Sequence, residues 1–238
     1  MFKQVYIIMG EVFGKVVPLV YSLTTHKDTQ TYETILSEIR DRMQILKVDN
    51  NIQLFNLDFE LAVSSAVKNI FGDNMHIHMC WFHFCQSLFR QVQKHCLIEF
   101  YASEDLRDEF SLICCLALVP TENVLATFKE LYVQLRPSSK LIADHVRNYY
   151  IEGKNGTGSQ GRRKGPKFPL HYWNAFDIMK NGESRTNNFC ESFNHRFARM
   201  IGPKNPGVHP FCEQLRKEQN HTETIIQSAM IGKTSPKE

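Results

Sequence analysis

NIQLFNLDFELAVSSAVKNIFGDNMHIHMCWF, residues 51–82, is the stretch on which the architecture turns. It opens with a short apolar run, residues 51–58, that ends in Asp58. Residues 59–71 then place Ala62, Val63, Ala66, Val67 and Ile70 on one face at helical spacing. Residues 75–82 (MHIHMCWF) read as a second strand. Strand, helix, strand in about 30 residues is the pattern of parallel strands joined by a crossover helix.

Working outward, residues 2–10 (FKQVYIIMG) and 14–25 (GKVVPLVYSLTT) are rich in Val, Ile and Tyr. A glycine-containing break separates them, so they read as a hairpin, with Pro18 at a bulge or on an edge. Tyr32, Ile35, Leu36, Ile39, Met43 and Leu46 recur at helical spacing, and Asp28 or Thr29 is available as cap. From Gln86 to about Tyr150 the pattern is helical. One stripe carries Leu88, Phe89, Val92 and Cys96, and another helix follows Pro120-Thr121. A helical block begins near Arg185, and a last helix spans about His209 to Ala229. The expected fold class is therefore α/β with a partly parallel, mixed sheet.

Charge is unevenly placed. Residues 1–150 are net −3 and residues 151–238 net +6. The segment Lys154 to Lys167 (KNGTGSQGRRKGPK) holds five cations and no anion. Its Gly, Ser and Pro content argues for a loop. Arg162, Arg163, Lys164 and Lys167 suit contact with a phosphate backbone; the other reading, which charge alone favours, is a solvated surface loop. No run of about 18 apolar residues exists, so no membrane span is expected. Seven cysteines, with Cys114 and Cys115 adjacent, fit reduced thiols in a nucleus or cytosol.

Three positions carry candidate chemistry. Asp58 ends a strand and precedes a helix: it reads either as a metal-binding carboxylate, since open α/β sheets place ligands at the carboxyl ends of strands, or as a helix N-cap. Glu191 lies on a helix whose buried stripe is expected at Phe189, Phe193 and Phe197; it falls about 200° from Phe189 and shares its face with Asn187, Asn188, Asn194 and His195. Cys80 and His83 form a Cys-x-x-His, with His76, His78, Cys85 and Cys96 as local companions. That pair reads either as half of a zinc set or as a core thiol with a packed imidazole.

The combination is more specific than its parts. Asn56-Leu57-Asp58-Phe59-Glu60, Cys80-Trp81-Phe82-His83, Trp173-Asn174, the run Arg185 to Asn194 (RTNNFCESFN) and His209-Pro210 occur in that order. Together with the stretches around residues 2–8, 18–21 and 27–32, they resemble the Mutator-like element (MULE) transposases, a DDE family with a ribonuclease H-like core.

The resemblance implies a fold and an activity. The fold would be a ribonuclease H-like mixed sheet lacking its first strand. Its core would be discontinuous, residues 1–85 and 176–230, interrupted by a helical insertion at 86–175 that carries the basic loop 154–167. Residues 231–238 would be a disordered tail. Asp58 and Glu191 would be the second and third carboxylates of a triad holding Mg²⁺ or Mn²⁺, with zinc at Cys80 and His83 as an open alternative. The chemistry would be DNA strand cleavage and transfer with two divalent metals. The family's first catalytic Asp lies just upstream of Phe2-Lys3-Gln4, so the chain is expected to be N-terminally truncated and inactive alone. The alternative is a domesticated, non-catalytic nuclear protein that binds DNA or protein. A zinc-stabilised interaction domain outside the family is a third reading. The expected partners are DNA at transposon ends and, as an open alternative, further copies of the chain in a homo-oligomer, with no membrane. The expected compartment is the nucleus.

Overall fold

A computed structural model describes residues 2–101, 104–154, 165–182, 188–202 and 207–231. The chain divides into two compact units, residues 1–31 with 188–238 and residues 32–187. The class is mixed α/β, with helix predominating.

The first unit starts as the expected hairpin. Strand β1 (Gln4–Val12) pairs antiparallel with β2 (Lys15–Thr24). Phe13 and Gly14 make the two-residue turn with φ of 51° and 72°. Positive φ at both positions gives the turn a twist that matches paired strands. The register slips between Ile8 and Met9: Ile8 faces Val20, Met9 faces Pro18, and Leu19 is the extra residue. Pro18 therefore sits at a bulge, where its missing N–H interrupts no regular ladder. Two helices complete the unit, α10 (Asn188–Ile201) and α11 (Val208–Met230), with α11 against β2 and against α10. The tail expected at 231–238 lies, after Ile231, outside the described residues.

Buried side chains among the described residues here are few: Val17, Pro18, Phe193, Phe197 and Phe211 on the apolar side, Thr24, Glu218 and Thr222 on the polar side. Glu218 is 2% exposed. Arg196 holds it with a two-pronged grip, Nη1 to Oε2 at 2.8 Å and Nη2 to Oε1. A carboxylate is tolerated in that position because its lone pairs meet a fixed guanidinium. Tyr21 packs its ring on Phe197 at 5.9 Å, and burial with the Glu218 charge pushes its phenol up to about 12.

The link into the second unit is helix α1 (Thr29–Ile45). Asp28 caps it, its Oδ1 accepting from Thr31 N at 2.9 Å and Thr31 Oγ1 at 2.7 Å, and these bonds lower the Asp28 pKa. Then come β3 (Leu54–Leu57), α2 (Leu61–Phe71) and β4 (His76–Met79), with β3 and β4 parallel. The crossover unit read from residues 51–82 is present. Its strands are shorter than expected, four residues each, and form a two-stranded sheet of their own. The expected single mixed sheet is thus replaced, among the described residues, by two separate pairs.

The helix after β4 starts earlier than expected. The pattern places residues 80–82 in the strand and starts a helix at Gln86, yet α3 runs Trp81–Lys94. Cys80 N–H still extends the ladder to Leu57 O at 2.9 Å, while its carbonyl already accepts from Phe84 N at 3.1 Å. Phe84, Leu88 and Val92 form the buried stripe, and Cys96, expected on it, is exposed with φ of 56° just past the helix end. The rest of the unit is α4 (Ile98–Tyr101), α5 (Glu104–Cys115), two 3₁₀ turns, α6 (Val124–Gln134) and α7 (Pro137–Val146). A π turn over Arg147–Ile151 follows, then α8 (Leu170–Trp173) and α9 (Phe176–Lys180).

The core of this unit is aromatic. Phe84 stacks on Trp173 at 5.0 Å and meets Tyr150 edge-on at 5.1 Å. Tyr150 stacks on Phe168 at 5.3 Å, and Phe59 meets Phe168 at 5.0 Å. The polar edges are satisfied: Trp173 Nε1 donates to Tyr150 O at 3.1 Å, and Tyr150 Oη lies 2.7 Å from Ser87 Oγ. Burial pushes the Tyr150 phenol up to about 12. Asn174, next to Trp173, donates to Val119 O at 2.8 Å and accepts from Phe176 N at 3.1 Å. The Trp-Asn pair is thus explained by packing.

Candidate active site

Asp58 immediately follows β3, at the carboxyl end of a parallel strand. It does not cap the following helix. The N-cap of α2 is Glu60, and no side-chain cap bond is present there. Glu60 N–H turns back to Asp58 O at 2.6 Å, which leaves the Asp58 carboxylate pointing off the strand end. The next residue, Phe59, enters the aromatic core, and Glu60 Oε1 accepts from Tyr32 Oη at 2.8 Å. Buried on one flank and tied on the other, this loop holds Asp58 in place while its side chain stays 58% exposed.

His83 comes to it from the first turn of α3. Its Nδ1 lies 3.2 Å from Asp58 Oδ1. The Cys-x-x-His thus splits in two: Cys80 is fully buried where β4 hands over to α3, and His83, one turn on, meets the carboxylate. Nothing in the sequence links residues 58 and 83. The contact follows from adjacency of β3 and β4, which brings the ends of both strands together. Among the described residues no group of three or more His, Cys, Asp and Glu side chains forms a metal-ligand cluster. The zinc alternative for Cys80 and His83 rests on the sequence pattern.

Glu191 occupies the first turn of α10. Phe193 and Phe197 are buried as the stripe requires, at 8% and 4% exposure. Phe189, expected with them, is 62% exposed in the first turn of the helix. Glu191 is half-buried, and Asn188, Asn194 and His195 of its face are exposed; Asn187 lies outside the described residues. Asp58 belongs to the second compact unit and Glu191 to the first.

Of the four basic residues expected to meet phosphates, Arg162, Arg163 and Lys164 lie outside the described residues. Lys167 is exposed, with Nζ 5.2 Å from the centre of the Phe168 ring. The bond between Tyr32 and Glu60, which steadies the Asp58 loop, is not foreseen from the sequence: a contact across 28 residues leaves no local pattern.

No curated protein and no solved structure matches the chain. Residues 2–87 match the family model of the MULE transposase domain, a stretch that runs from the hairpin through Asp58 to Cys80 and His83. The hairpin, the crossover unit and the Asp58–His83 pair thus lie in the part of the chain that is similar to the MULE transposase domain.

Proposed function

We propose that this protein is a DNA-binding member of the DDE transposases, in which Asp58 and Glu191 supply two carboxylates of a site for Mg²⁺ or Mn²⁺. The observation that carries the reading is Asp58: an exposed carboxylate at the carboxyl end of a parallel strand, inside the matched domain, with His83 beside it. Its hard oxygen ligands suit Mg²⁺, which takes one or two carboxylates and keeps waters and phosphate oxygens in its remaining positions. When bound, a pair of such ions supports attack by water or a 3′-hydroxyl and stabilises the leaving oxygen. Asp58 and Glu191 would hold the ions, His83 would orient the Asp58 carboxylate, and the basic residues 162–167 would hold the strand by its phosphates. The ribonuclease H-like core formed from residues 1–85 and 176–230, with 86–175 as its insertion, is part of the same proposal, as is a nuclear location.

Asp58 and Glu191 would stand for two of the family's three carboxylates, and a metal pair held by these two alone would be short of ligands. We therefore infer that this polypeptide binds DNA and does not cut it by itself. That same observation favours the second reading, a non-catalytic nuclear protein that keeps the fold for DNA or protein binding. The test is incubation of the purified chain with Mg²⁺ or Mn²⁺ and a supercoiled plasmid. The expected outcome is binding that weakens steeply as salt rises, without nicking. Metal-dependent nicking that disappears in Asp58→Asn and Glu191→Gln would overturn the inactivity. Absence of DNA binding at low salt would overturn the DNA reading altogether.

A further inference from the structure

A polar cleft of about 350 Å³ opens in the second unit, away from Asp58 in sequence and built from two helix faces. Gln91, Lys94 and His95 come from the end of α3; Leu141, Asp144, His145, Asn148 and Tyr149 come from α7 and its π turn; Lys154 closes one side. The spacings i, i+3, i+4 on α3 and i, i+3, i+4, i+7, i+8 on the second helix are those of a packing face. Here that face is polar instead of apolar. Lys94, His95 and Lys154 are exposed.

Among the described residues that line the cleft, two lysines stand against one acid. Asp144 is the acidic residue of the lining, and it is already engaged by the Arg147 guanidinium and by Tyr132 Oη at 3.0 Å. Lys154 lies over the Tyr149 ring, Nζ 4.4 Å from its centre, and His145 lies against the same ring at 4.5 Å. Lys154 also lowers the Tyr149 pKa by hydrogen bonding. Burial first, then the charges of Lys94, Lys154, His95 and Lys167, push His145 down to about 4, so the imidazole is neutral at pH 7. The two ends of the basic segment meet here as well. Lys154 leaves the π turn, and the returning chain is pinned by Phe168 N–H to Tyr149 O at 3.0 Å, next to Lys167.

We propose that this cleft is a phosphodiester-binding site, in which Lys94 and Lys154 grip the backbone of a nucleic-acid strand and the Tyr149 ring supports it. The proposal deepens the DNA-binding part of the reading above and rests on it for the nature of the strand. Two lysines aimed at one opening, with the local acid already paired, supply the charge that phosphate contacts need. The Tyr149 ring beneath Lys154 adds the aromatic companion that single-strand grooves use. Lys167, beside the Phe168 that is bonded to Tyr149 O, adds to the positive charge felt at His145.

The experiment uses the full chain in two arms. In the first, inorganic phosphate is titrated while the His145 ring resonances are followed by NMR. The expected result is a saturable shift and an upward move of the His145 titration, abolished in Lys94→Ala/Lys154→Ala. In the second, binding of a fluorescent 20-nucleotide single strand is read by anisotropy. The double variant should weaken it about tenfold and reduce the salt slope by about 1.5, near 0.7 for each phosphate that is no longer neutralised. Lys47→Ala/Lys129→Ala, with equal charge removed from exposed positions elsewhere in the unit, should not. If the strand binds but phosphate leaves His145 unmoved, the cleft proposal fails and the DNA reading stands. Equal weakening by both double variants also overturns it, since only overall charge would then matter. If phosphate moves His145 while no strand binds, both the DNA reading and the phosphodiester assignment fail. Displacement of phosphate by a mononucleotide that the strand cannot match would assign the cleft to a small molecule and overturn the proposal.

Discussion

The two compact units of this chain are held together by different means. Residues 32–187 bury a connected set of rings, Phe59, Phe84, Tyr150, Phe168 and Trp173, whose polar edges are all bonded inward. Residues 1–31 with 188–238 combine a two-stranded hairpin with three buried phenylalanines and one buried carboxylate, Glu218, which a half-exposed Arg196 holds. The first kind of core derives its stability from area removed from water, and tolerates change in proportion to the area lost. The second depends on one geometry, and a buried carboxylate without its partner is far more costly than a missing methyl group. The matched family domain, residues 2–87, runs across both.

The largest expected effect is in the aromatic core. Trp173 is fully buried, stacks on Phe84 and donates to Tyr150 O. Trp173→Ala should cost about 3–5 kcal/mol in chemical denaturation, from reduced burial plus the cavity left behind. Because Phe59 follows Asp58 and packs into the same rings, the variant should also loosen the Asp58 loop, seen as faster amide exchange at Phe59 and Glu60. Slow exchange there after the substitution would separate Asp58 from the aromatic core.

Next is the charged pair, and the expectation is asymmetric. The Arg196 side chain is 48% exposed, whereas Glu218 is 2% exposed. Arg196→Met strands a buried carboxylate and should cost about 3 kcal/mol. Glu218→Gln leaves a guanidinium that can rehydrate and should cost about 1 kcal/mol. Arg196→Met with Glu218→Leu should recover most of the stability, since paired apolar replacement removes the stranded charge. Equal costs for the two single variants would mean that this unit is not organised around Glu218.

The sequence carried the order of elements well and their lengths poorly, for physical reasons. The hairpin is legible because its apolar β-branched runs flank a glycine turn, and Pro18 can only sit at an irregularity. The crossover unit is legible because apolar periodicity changes from strand to helix at Asp58. Residues 80–82 are not, because Cys, Trp and Phe favour strands locally while burial of Phe84, Leu88 and Val92 recruits them into α3. Phe189 departs from its stripe in the first turn of α10, where helical period alone does not tell whether a side chain is covered. The meeting of Asp58 with His83 and the polar cleft both arise from elements distant in sequence, and no window of residues records them.

The smallest of the expected effects concerns acid, and it falls on the second unit. His78 lies on β4, is 2% exposed, and neither ring nitrogen has a hydrogen-bond partner among the described residues. Burial pushes its pKa down from 6.5 to about 4. In the unfolded chain the imidazole takes up its proton near pH 6.5, whereas in the folded chain it stays neutral until about pH 4. The unfolded state therefore binds more protons between those values, and stability falls as pH drops through that window. At 1.36 kcal/mol per unit of pH, about 2 kcal/mol should be gone by pH 5. His145, depressed in the same direction but less enclosed, should add a smaller decrease over the same range. His78→Leu removes the titrating group and keeps a side chain of similar size, so it should flatten this part of the pH curve without lowering stability at pH 7.5. Denaturation curves collected from pH 7.5 to pH 4.5 decide the matter. A wild-type curve that stays flat to pH 5 would mean that His78 finds a partner for its proton in the folded chain.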